Sequence, residues 1–453
     1  MSSFKNPKTR IGIIGAGPAG ISAAHFLKKQ GYSNVTILEQ HPQVGGKCIS
    51  KTIDGKSFDI GANYVTSNYK IVKKLARELK ADLYTEANNK SYDLRINQFR
   101  SVLSTVLGDT SLIKFAWLCL CYMYKRWKLN DIISPKNPGY KGIANHPELC
   151  QSFESWLKEN NLTELLLLFE VPISLMGYSK LANIPTAYAL TYLPNSTFIE
   201  LCLASISTSI LGYPKRFKEG YQRFLERLSW TFDSDSIKLN TKVTSVKRGD
   251  NIQVEYIDNS SDENQIVKQT IEFDYLFIGV PLYLEALQPF MSDMTPAEKE
   301  IFSQVIFDPF IVTTYKMANC EVFTAGTFML PEPAKNEPFV ITRQFAGVDF
   351  ISIYTRSAVG EPVNKEKILE ENAKFIKRSV NLDLCEPYSF NDFVYFPHVL
   401  TTPMANGFYD NLEALQGQNN TFYIGGLMNF ELVETIMNYS KHLIETNFPK
   451  VGN

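Results

Sequence analysis

A glycine-rich turn near the N-terminus carries the clearest chemical signal in the sequence. Gly15, Gly17 and Gly20 have the spacing G-x-G-x-x-G, directly after an apolar run and before residues with helical periodicity. In such a turn the glycines permit a tight bend, close approach to a pyrophosphate, and packing of the helix on the strand. Glu39 lies about 20 residues further on, where a carboxylate can accept hydrogen bonds from both ribose hydroxyls. The pattern predicts a dinucleotide site; the alternative is a tight strand–helix turn that binds no ligand.

A second glycine pair indicates which dinucleotide is bound. Gly45, Gly46 and Lys47 are followed by an F-D-x-G-A stretch that includes Gly61 and Ala62. This combination resembles the motifs of the amine-oxidase-type flavoproteins, in which the two segments carry the diphosphate and ribityl chain of FAD. Most members have arginine in place of Lys47, and lysine neutralises a phosphate without the bidentate geometry. The alternative for the glycine pair is an ordinary surface turn.

Length and composition restrict the class of protein. A chain of 453 residues is large for one core, so two interleaved domains are expected. The 46 basic and 47 acidic residues give a net charge of −1 without a basic tail, which argues against a nucleic-acid partner. Neither the 7 cysteines nor the 5 histidines show metal-ligand spacing, so no metal is expected. The N-terminus is polar and lacks a hydrophobic signal core. Together with the scattered cysteines, it favours reduced thiols and a cytoplasmic location.

The order of the predicted elements indicates an α/β protein with a Rossmann-type FAD-binding domain. An interleaved substrate domain is expected to consist of an antiparallel sheet and a helical lid, as in amine oxidases. Three segments, residues 1–90, 211–290 and 393–453, are predicted to build the FAD-binding domain, with the helical lid at 91–210 and the substrate sheet at 291–392.

Residues 111–128 form an unusually apolar segment that ends in a cluster of cations. The uninterrupted apolar run, 115–124, is about half of the ~20 residues that a spanning helix needs. One interpretation is a buried helix of the lid. The other is a helix that touches a membrane surface and places its tryptophans and cations at the interface.

Several clusters resemble one subgroup of flavoproteins, the FAD-dependent polyenoic (linoleate) fatty-acid isomerases of bacterial type. These clusters lie at residues 44–48, 177–178, 183–188, 395–398, 407–409, 415–417, 420–423 and 438–441. The chain departs from the family at its C-terminal flavin motif, where Gly425 and Gly426 replace the usual Gly-Glu. The missing carboxylate removes one expected polar contact to the cofactor.

The resemblance implies a redox-neutral shift of a double bond in a polyunsaturated fatty acid. Oxidised flavin N5 would take a hydride from a carbon between two double bonds and return it at another carbon, within an apolar channel lined by aromatic residues. This reaction needs no acid or base from the protein, so His398 is expected to be a structural histidine. The alternative is that His398 acts as a base. The residues predicted to contact the substrate are Tyr178, Tyr188 and Phe396, with Lys90 and Arg95 as candidate anchors for the carboxylate.

The same resemblance assigns the cofactor contacts. In that family the backbone of the residue matching Val243 contacts the adenine. The predicted FAD-binding residues are Gly15, Gly17, Pro18, Ala19, Gly20, Glu39, Gln40, Gly45, Gly46, Lys47, Gly61, Ala62, Asn63, Val243, Gly425 and Gly426.

The partners predicted are a small lipid substrate and, through residues 111–128, a membrane surface; the protein would be a monomer or homodimer. The alternatives are an amine-oxidase-like enzyme that releases H₂O₂ and a non-catalytic flavin-fold binding protein.

Overall fold

A computed structural model describes residues 6–85, 90–206, 214–249, 251–258, 268–357 and 361–451. The strands are β1 (Ile11–Ile14), β2 (Val35–Leu38), β3 (Ser50–Ile53), β4 (Lys56–Asp59), β5 (Leu83–Thr85), β6 (Lys90–Asp93), β7 (Gln98–Ser101), β8 (Lys215–Phe217), β9 (Ile237–Lys238), β10 (Thr241–Lys247), β11 (Ile252–Asp258), β12 (Lys268–Phe273), β13 (Tyr275–Ile278), β14 (Ile306–Lys316), β15 (Thr327–Leu330), β16 (Pro338–Thr342), β17 (Phe350–Arg356), β18 (Ser389–His398) and β19 (Thr421–Tyr423).

The helices alternate with these strands. They are α1 (Pro18–Lys29), α2 (Lys70–Glu78), α3 (Val102–Leu107), α4 (Leu112–Lys128), α5 (Pro147–Cys150), α6 (Phe153–Glu159), α7 (Leu166–Glu170), α8 (Thr186–Tyr192), α9 (Asn195–Ile206), α10 (Tyr221–Ser229), α11 (Leu284–Leu287), α12 (Pro296–Ser303), α13 (Lys365–Val380), α14 (Thr401–Ala405), α15 (Phe408–Ala414), α16 (Gly426–Asn429) and α17 (Val433–Asn447). Short 3₁₀ turns lie at Ile143–Asn145, Thr163–Leu165, Ser174–Met176, Ser234–Ser236 and Gln418–Asn420.

A five-stranded parallel sheet forms the centre of the FAD-binding domain, in the order β19-β13-β1-β2-β9. Ile11 on β1 pairs with Tyr275 on one side and Val35 on the other. Both β1 and β13 are buried along their whole length, as expected for parallel strands covered on two faces. The strands come from the beginning, middle and end of the chain, which confirms the predicted Rossmann-type fold with an interleaved second domain.

The substrate domain contains a seven-stranded sheet in the order β18-β14-β17-β16-β15-β6-β7. Its neighbouring strands are antiparallel except for β15 and β6, which run parallel. Strand β18 pairs with β14 from Ser389 to His398 and therefore continues through the boundary predicted at 392/393. The pairing keeps the chain in this sheet as far as His398, beyond the predicted boundary.

The chain between Ile237 and Lys247 is divided into two strands, β9 and β10. Asn240 adopts a left-handed backbone conformation (φ 52°), which a continuous strand does not accommodate. The two pieces then join different sheets, since β9 extends the parallel sheet and β10 begins a three-stranded antiparallel sheet with β11 and β12.

The predicted helical lid consists of α3 to α9, and aromatic side chains form its interior. Tyr122 on α4 packs against Phe169 (5.0 Å between ring centroids) and Phe198 (4.3 Å). Arg126, one helical turn further on, is also buried, and its guanidinium donates to the carbonyl oxygens of Leu190 and Ile133. One face of α4 is therefore fixed in the lid core.

A buried ion-pair network joins the middle and C-terminal segments of the FAD-binding domain. The Arg248 guanidinium donates to Asp293 (3.1 Å) and to Glu298 (2.5 Å), and Tyr423 on β19 donates its hydroxyl hydrogen to the same Glu298 carboxylate. The Arg248 and Glu298 side chains are only 1% and 3% exposed. These charges stabilise the fold only as a complete set, because each would otherwise be buried without a partner.

We expect Arg248→Ala to lower the free energy of unfolding by about 3–5 kcal/mol, the range typical of breaking a buried ion pair. The measurement is urea denaturation followed by circular dichroism. Lys374→Ala is the matched control because Lys374 pairs with Glu370 on the exposed surface of α13, and it should leave the transition unchanged. Equal shifts for both variants would contradict a structural role for the network.

Candidate functional site

The first glycine loop has the conformation that its spacing predicts. Gly15 lies at φ 99°, and a side chain on Gly20 would place its Cβ 1.9 Å from the Gly15 carbonyl oxygen. Gly17 precedes α1, which begins with Pro18, and Ala19 is buried in the first turn. The helix N-terminus therefore faces the end of β1 across a backbone gap that admits no side chain, the arrangement that binds a phosphate group.

Glu39 lies at the end of β2, beside the first glycine loop. Its carboxylate accepts hydrogen bonds from the backbone N–H groups of Ala16 (2.7 Å) and His41 (2.9 Å) and is almost fully buried. The side chain of Gln40 lies at the surface against His41. The Thr241 N–H donates to the Glu39 carbonyl oxygen (2.7 Å). This bond brings β10 next to the end of β2, and Val243 lies two residues further along β10.

The second glycine loop contacts the first through backbone atoms. The Gly45 N–H donates to the Ala16 carbonyl oxygen (3.0 Å), and a Cβ on Gly46 would lie 3.0 Å from the Gly17 Cα. A Cβ on Gly61 would lie 1.7 Å from the Lys47 carbonyl oxygen. The two loops thus form one wall made almost wholly of backbone.

Residues after Gly61 connect this wall to the substrate sheet. Ala62 donates its N–H to the Lys47 carbonyl oxygen (3.2 Å). The Asn63 amide donates to the Tyr354 hydroxyl on β17, at the long distance of 3.5 Å. The predicted residues Gly61, Ala62 and Asn63 therefore lie where the FAD-binding and substrate domains meet.

Glu431 is a site residue that the sequence interpretation missed. It forms an ion pair with Lys47, and its Cβ lies 2.9 Å from the position that a Cβ on Gly426 would occupy. A carboxylate thus lies beside the C-terminal flavin motif although position 426 is glycine. The sequence does contain an acid five residues after the motif. It lies beside Gly426 only because the chain turns back between α16 and α17.

The residues present fit FAD. The two glycine loops leave a backbone cradle at the N-terminus of α1, which suits a diphosphate. Within the described residues, Glu431 Oε2 is buried and has no hydrogen-bond partner, so it can accept from a hydroxyl or N–H of a bound cofactor. Lys47 supplies a cation beside the Glu431 carboxylate. Gly425 supplies a backbone position with no neighbouring atom close to it. These groups would hold the cofactor.

An aromatic cluster lies against the Lys47–Glu431 pair. Tyr178 donates its hydroxyl hydrogen to the Glu431 carbonyl oxygen (3.2 Å), and the Lys47 ammonium lies 5.8 Å from the Tyr395 ring centroid. Rings within about 6 Å of one another complete the cluster, which consists of Tyr178, Tyr188, Tyr192, Tyr395, Phe396 and Phe430. Burial raises the pKa of the Tyr178 and Tyr395 hydroxyls, so both are neutral at pH 7.

Two members of the cluster have strained backbones. Phe396 and Phe430 adopt φ values of 51° and 69°, and their rings meet edge to face with 5.1 Å between centroids. Non-glycine residues rarely adopt this conformation, and such strain concentrates at functional sites. The ring of His398 stacks on Phe396 (4.3 Å), and its Nδ1 donates to the Phe396 carbonyl oxygen. Burial lowers the pKa of His398, which keeps the imidazole neutral.

The predicted substrate residues do not all lie together. Tyr178 and Phe396 share the aromatic cluster with Tyr188, but the Tyr188 hydroxyl is engaged by Tyr409 (2.5 Å). Lys90 and Arg95 belong to the β6–β7 hairpin at the far edge of the substrate sheet. Arg95 forms a bidentate pair with Asp93 and Lys90 contacts a backbone carbonyl, so the structure does not bring these two cations to the aromatic cluster.

A cleft of about 550 Å³ lies beyond this cluster. Ser179, the residue after Tyr178, lines this cleft together with Phe339. Asp308, Glu332 and Arg356 give the cleft both acidic and basic groups. Burial is the main influence on two of these groups: it raises the pKa of Asp308 and lowers that of Arg356.

Neither a metal centre nor a membrane-spanning helix is found in the portion of the chain that the structure describes. No group of three or more His, Cys, Asp or Glu side chains there is arranged to hold a metal ion. Among the same residues, no helix combines the length and apolar character needed to cross a membrane.

Comparison with known protein families decides the class. The family of flavin containing amine oxidoreductases matches residues 18–304. The chain belongs to this family. Membership confirms the predicted FAD cofactor, the predicted amine-oxidase-type superfamily and an FAD-dependent enzyme.

The flavoprotein also has curated relatives, and it spans about half the length of the first of them. The L-amino-acid oxidase of Pseudechis australis is 24% identical over 265 residues, which cover 55% of this chain and 47% of that protein. The putrescine oxidase of Kocuria rosea is 38% identical over 72 residues, 16% of this chain and 15% of that one.

Solved structures show the same fold. A CLA-producing fatty acid isomerase from P. acnes superposes with a TM-score of 0.83 at 22% identity, covering 98% of this flavoprotein and 99% of that chain. A wild-type putrescine oxidase bound to putrescine gives 0.66 at 15% identity, covering 97% and 98%. The predicted combination of FAD-binding domain, substrate sheet and helical lid is therefore confirmed.

We expect Gly17→Ala to weaken FAD binding by about tenfold or more while the apoprotein keeps its fold. The new Cβ would lie 3.6 Å from the Gly46 Cα, an ordinary contact, but would project between the two glycine loops. The measurement is FAD titration by flavin fluorescence, together with the melting temperature of the apoprotein. Gly249→Ala, where the nearest atom would be 3.9 Å away, is the control. An unchanged dissociation constant would contradict the assignment of the cradle.

Asp59 is a buried carboxylate beneath the second glycine loop. Its Oδ1 accepts from the Ser50 hydroxyl (2.6 Å) and the Tyr221 N–H (2.7 Å). Burial raises the pKa of Asp59 from 3.8 to about 6, against the lowering effect of these hydrogen bonds. The folded protein therefore keeps a proton that the unfolded chain has lost, and this group's contribution to stability falls as the pH rises from about 4 to about 6.

We expect Asp59→Asn to remove that pH-dependent decline, because the amide keeps an acceptor oxygen and carries no charge. The free energy of unfolding, measured by urea denaturation across this pH range, should fall less in the variant than in the natural protein. Asp383→Asn, at an exposed carboxylate paired with Lys377, should keep the natural profile. Identical profiles for all three proteins would show that Asp59 ionises normally.

Proposed function

We propose that this flavoprotein moves a double bond within a polyunsaturated fatty acid. The observation that carries the proposal is the aromatic cluster beside the Lys47–Glu431 pair, which offers a neutral, apolar surface rather than an acid and a base. The fold likeness to a CLA-producing fatty acid isomerase supports the same reaction class. Bound FAD would supply an acceptor, and later a donor, for a hydride.

The protein's own role in this reaction is to stabilise positive charge and exclude water. A polyunsaturated chain that gives up a hydride between two double bonds becomes a delocalised cation. The ring faces of Tyr178, Tyr192 and Phe430 can stabilise such a cation by about 1–2 kcal/mol each when the site is dry. Return of the hydride at another carbon leaves no net oxidation, so oxygen is not consumed.

The neutral tyrosines suit this role. Burial raises the pKa of Tyr192 as well as that of Tyr178, so neither hydroxyl becomes an anion that would trap the cation. The Lys47 charge is balanced by Glu431, which limits electrostatic repulsion of a cationic lipid. His398 is neutral and lies behind Phe396, where it positions the ring instead of meeting the substrate.

Amine oxidation with release of H₂O₂ is the second candidate. The Asp308 carboxylate in the cleft would attract a protonated amine, whereas Glu332 is already paired with Lys180 (2.8 Å). We also infer a cytoplasmic location, supported by the seven cysteines, all of which are free thiols.

The test is anaerobic incubation of the holoenzyme with several polyunsaturated fatty acids, followed by ultraviolet absorbance of conjugated dienes. We expect product without oxygen; parallel assays measure oxygen uptake and peroxide with a panel of amines. Peroxide formed in proportion to product, or turnover of amines alone, would contradict this proposal and favour amine oxidation.

A matched pair of variants tests the aromatic surface. Tyr192→Leu removes a ring that stacks on Phe430 (5.6 Å), and Tyr192→Phe keeps it. Losing about 1–2 kcal/mol of cation stabilisation should slow isomerisation by roughly five- to thirtyfold in the first variant and leave the second unchanged. Flavin content measured by absorbance serves as the control for cofactor loss. Equal rates in the two variants would exclude a role for the ring.

A further inference from the structure

Helix α4 has two opposite faces that are both apolar. The inner face, which includes Phe115, Leu118 and Tyr122, is buried in the lid core. The other face forms an outer stripe with spacings of 4, 3, 4 and 3 residues, so its side chains lie in one row along the helix. This stripe consists of Ile113, Trp117, Leu120, Tyr124 and Trp127, which are 86%, 64%, 55%, 55% and 61% exposed.

The neighbouring helix α9 also has exposed apolar side chains. Ile199 and Ile206 are exposed, and Leu203 between them is half-buried. The two helices are fixed to each other, because the Asn195 side chain donates to the Met123 carbonyl oxygen (2.9 Å) at the start of α9. A rigid pair of helices therefore presents large apolar side chains to solvent, which in soluble monomers marks an interaction site.

The charges around the outer stripe are cationic. Lys114, Lys125 and Lys128 belong to α4, which contains no acidic residue. The single acid of α9, Glu200, is buried. Glu164, from a neighbouring turn, forms an ion pair with Lys114 (2.6 Å). The exposed Asp131 follows the helix, so Lys125 and Lys128 leave a smaller excess of positive charge near the C-terminal end of α4.

We propose that the outer stripe docks on an anionic lipid surface. Its cations complement lipid phosphates, whereas two copies of the chain joined through this face would place lysines against lysines. Tryptophan and tyrosine side chains favour the membrane interface. The stripe is about 21 Å long at 1.5 Å per residue and would lie in the plane of the interface, with its apolar side chains about 5–10 Å deep.

The test is flotation of the purified holoenzyme with vesicles of phosphatidylcholine alone or mixed with phosphatidylserine. We expect binding to the anionic vesicles, weakened by salt, and little binding to the neutral ones. The double variant Trp117→Gln/Trp127→Gln should lower the partition coefficient by at least about tenfold, since two large side chains leave the lipid. Trp230→Gln, at an equally exposed tryptophan beside α10, is the matched control and should bind like the natural protein.

Fold and oligomeric state are measured on the same samples. Both exchanged tryptophans of the double variant are exposed, so its melting temperature should match that of the control. No binding by the natural protein, equal binding to neutral vesicles, or full binding by the double variant would overturn the proposal. Sedimentation that shows a dimer dissociated by the double variant, without vesicle binding, would assign the face to a second copy. Because no substrate is present, the result is independent of the proposed isomerase reaction.

Discussion

The site depends on backbone-to-backbone contact between two glycine loops. At Gly20 and Gly61 a side chain would overlap a carbonyl oxygen of the neighbouring segment, and at Gly46 it would press on Gly17. Removing side chains brings the N–H groups at the start of α1 close enough to meet phosphate oxygens directly. From this wall Asn63 reaches the substrate sheet at Tyr354, and Lys47 reaches the aromatic cluster at Tyr395.

The wall ends in a pair of opposite charges within an aromatic environment. Lys47 and Glu431 come from distant regions of the chain, and their pairing brings the C-terminal segment to the second glycine loop. A single charge beside so many rings would be costly, because few polar groups are available to solvate it. The pair therefore allows charged groups to contact a cofactor while the adjoining surface remains suitable for a hydrocarbon chain.

Local patterns predicted the cofactor side better than the substrate side. The glycine spacings and the acid at Glu39 identified the FAD-binding domain because each motif is contained within a short stretch. Glu431 is brought beside Gly426 by a turn in which Phe430 has a positive φ, and no local pattern encodes that reversal. Likewise, Lys90 and Arg95 are cations at a plausible sequence position, but the pairing of β6 with β15 carries them to the edge of the sheet.

The strand order of the parallel sheet also has a consequence for biosynthesis. Its central strand, β1, needs β13 as a neighbour, and β13 needs β19, which lies near the C-terminus. On the ribosome, β1 can pair with β2 early, but its second neighbour β13 is made much later, and β19, the neighbour of β13, is made only near the end of the chain. Such long-range pairing slows folding and exposes apolar strands during synthesis, so the newly made polypeptide is a natural client for chaperones until its final helix docks.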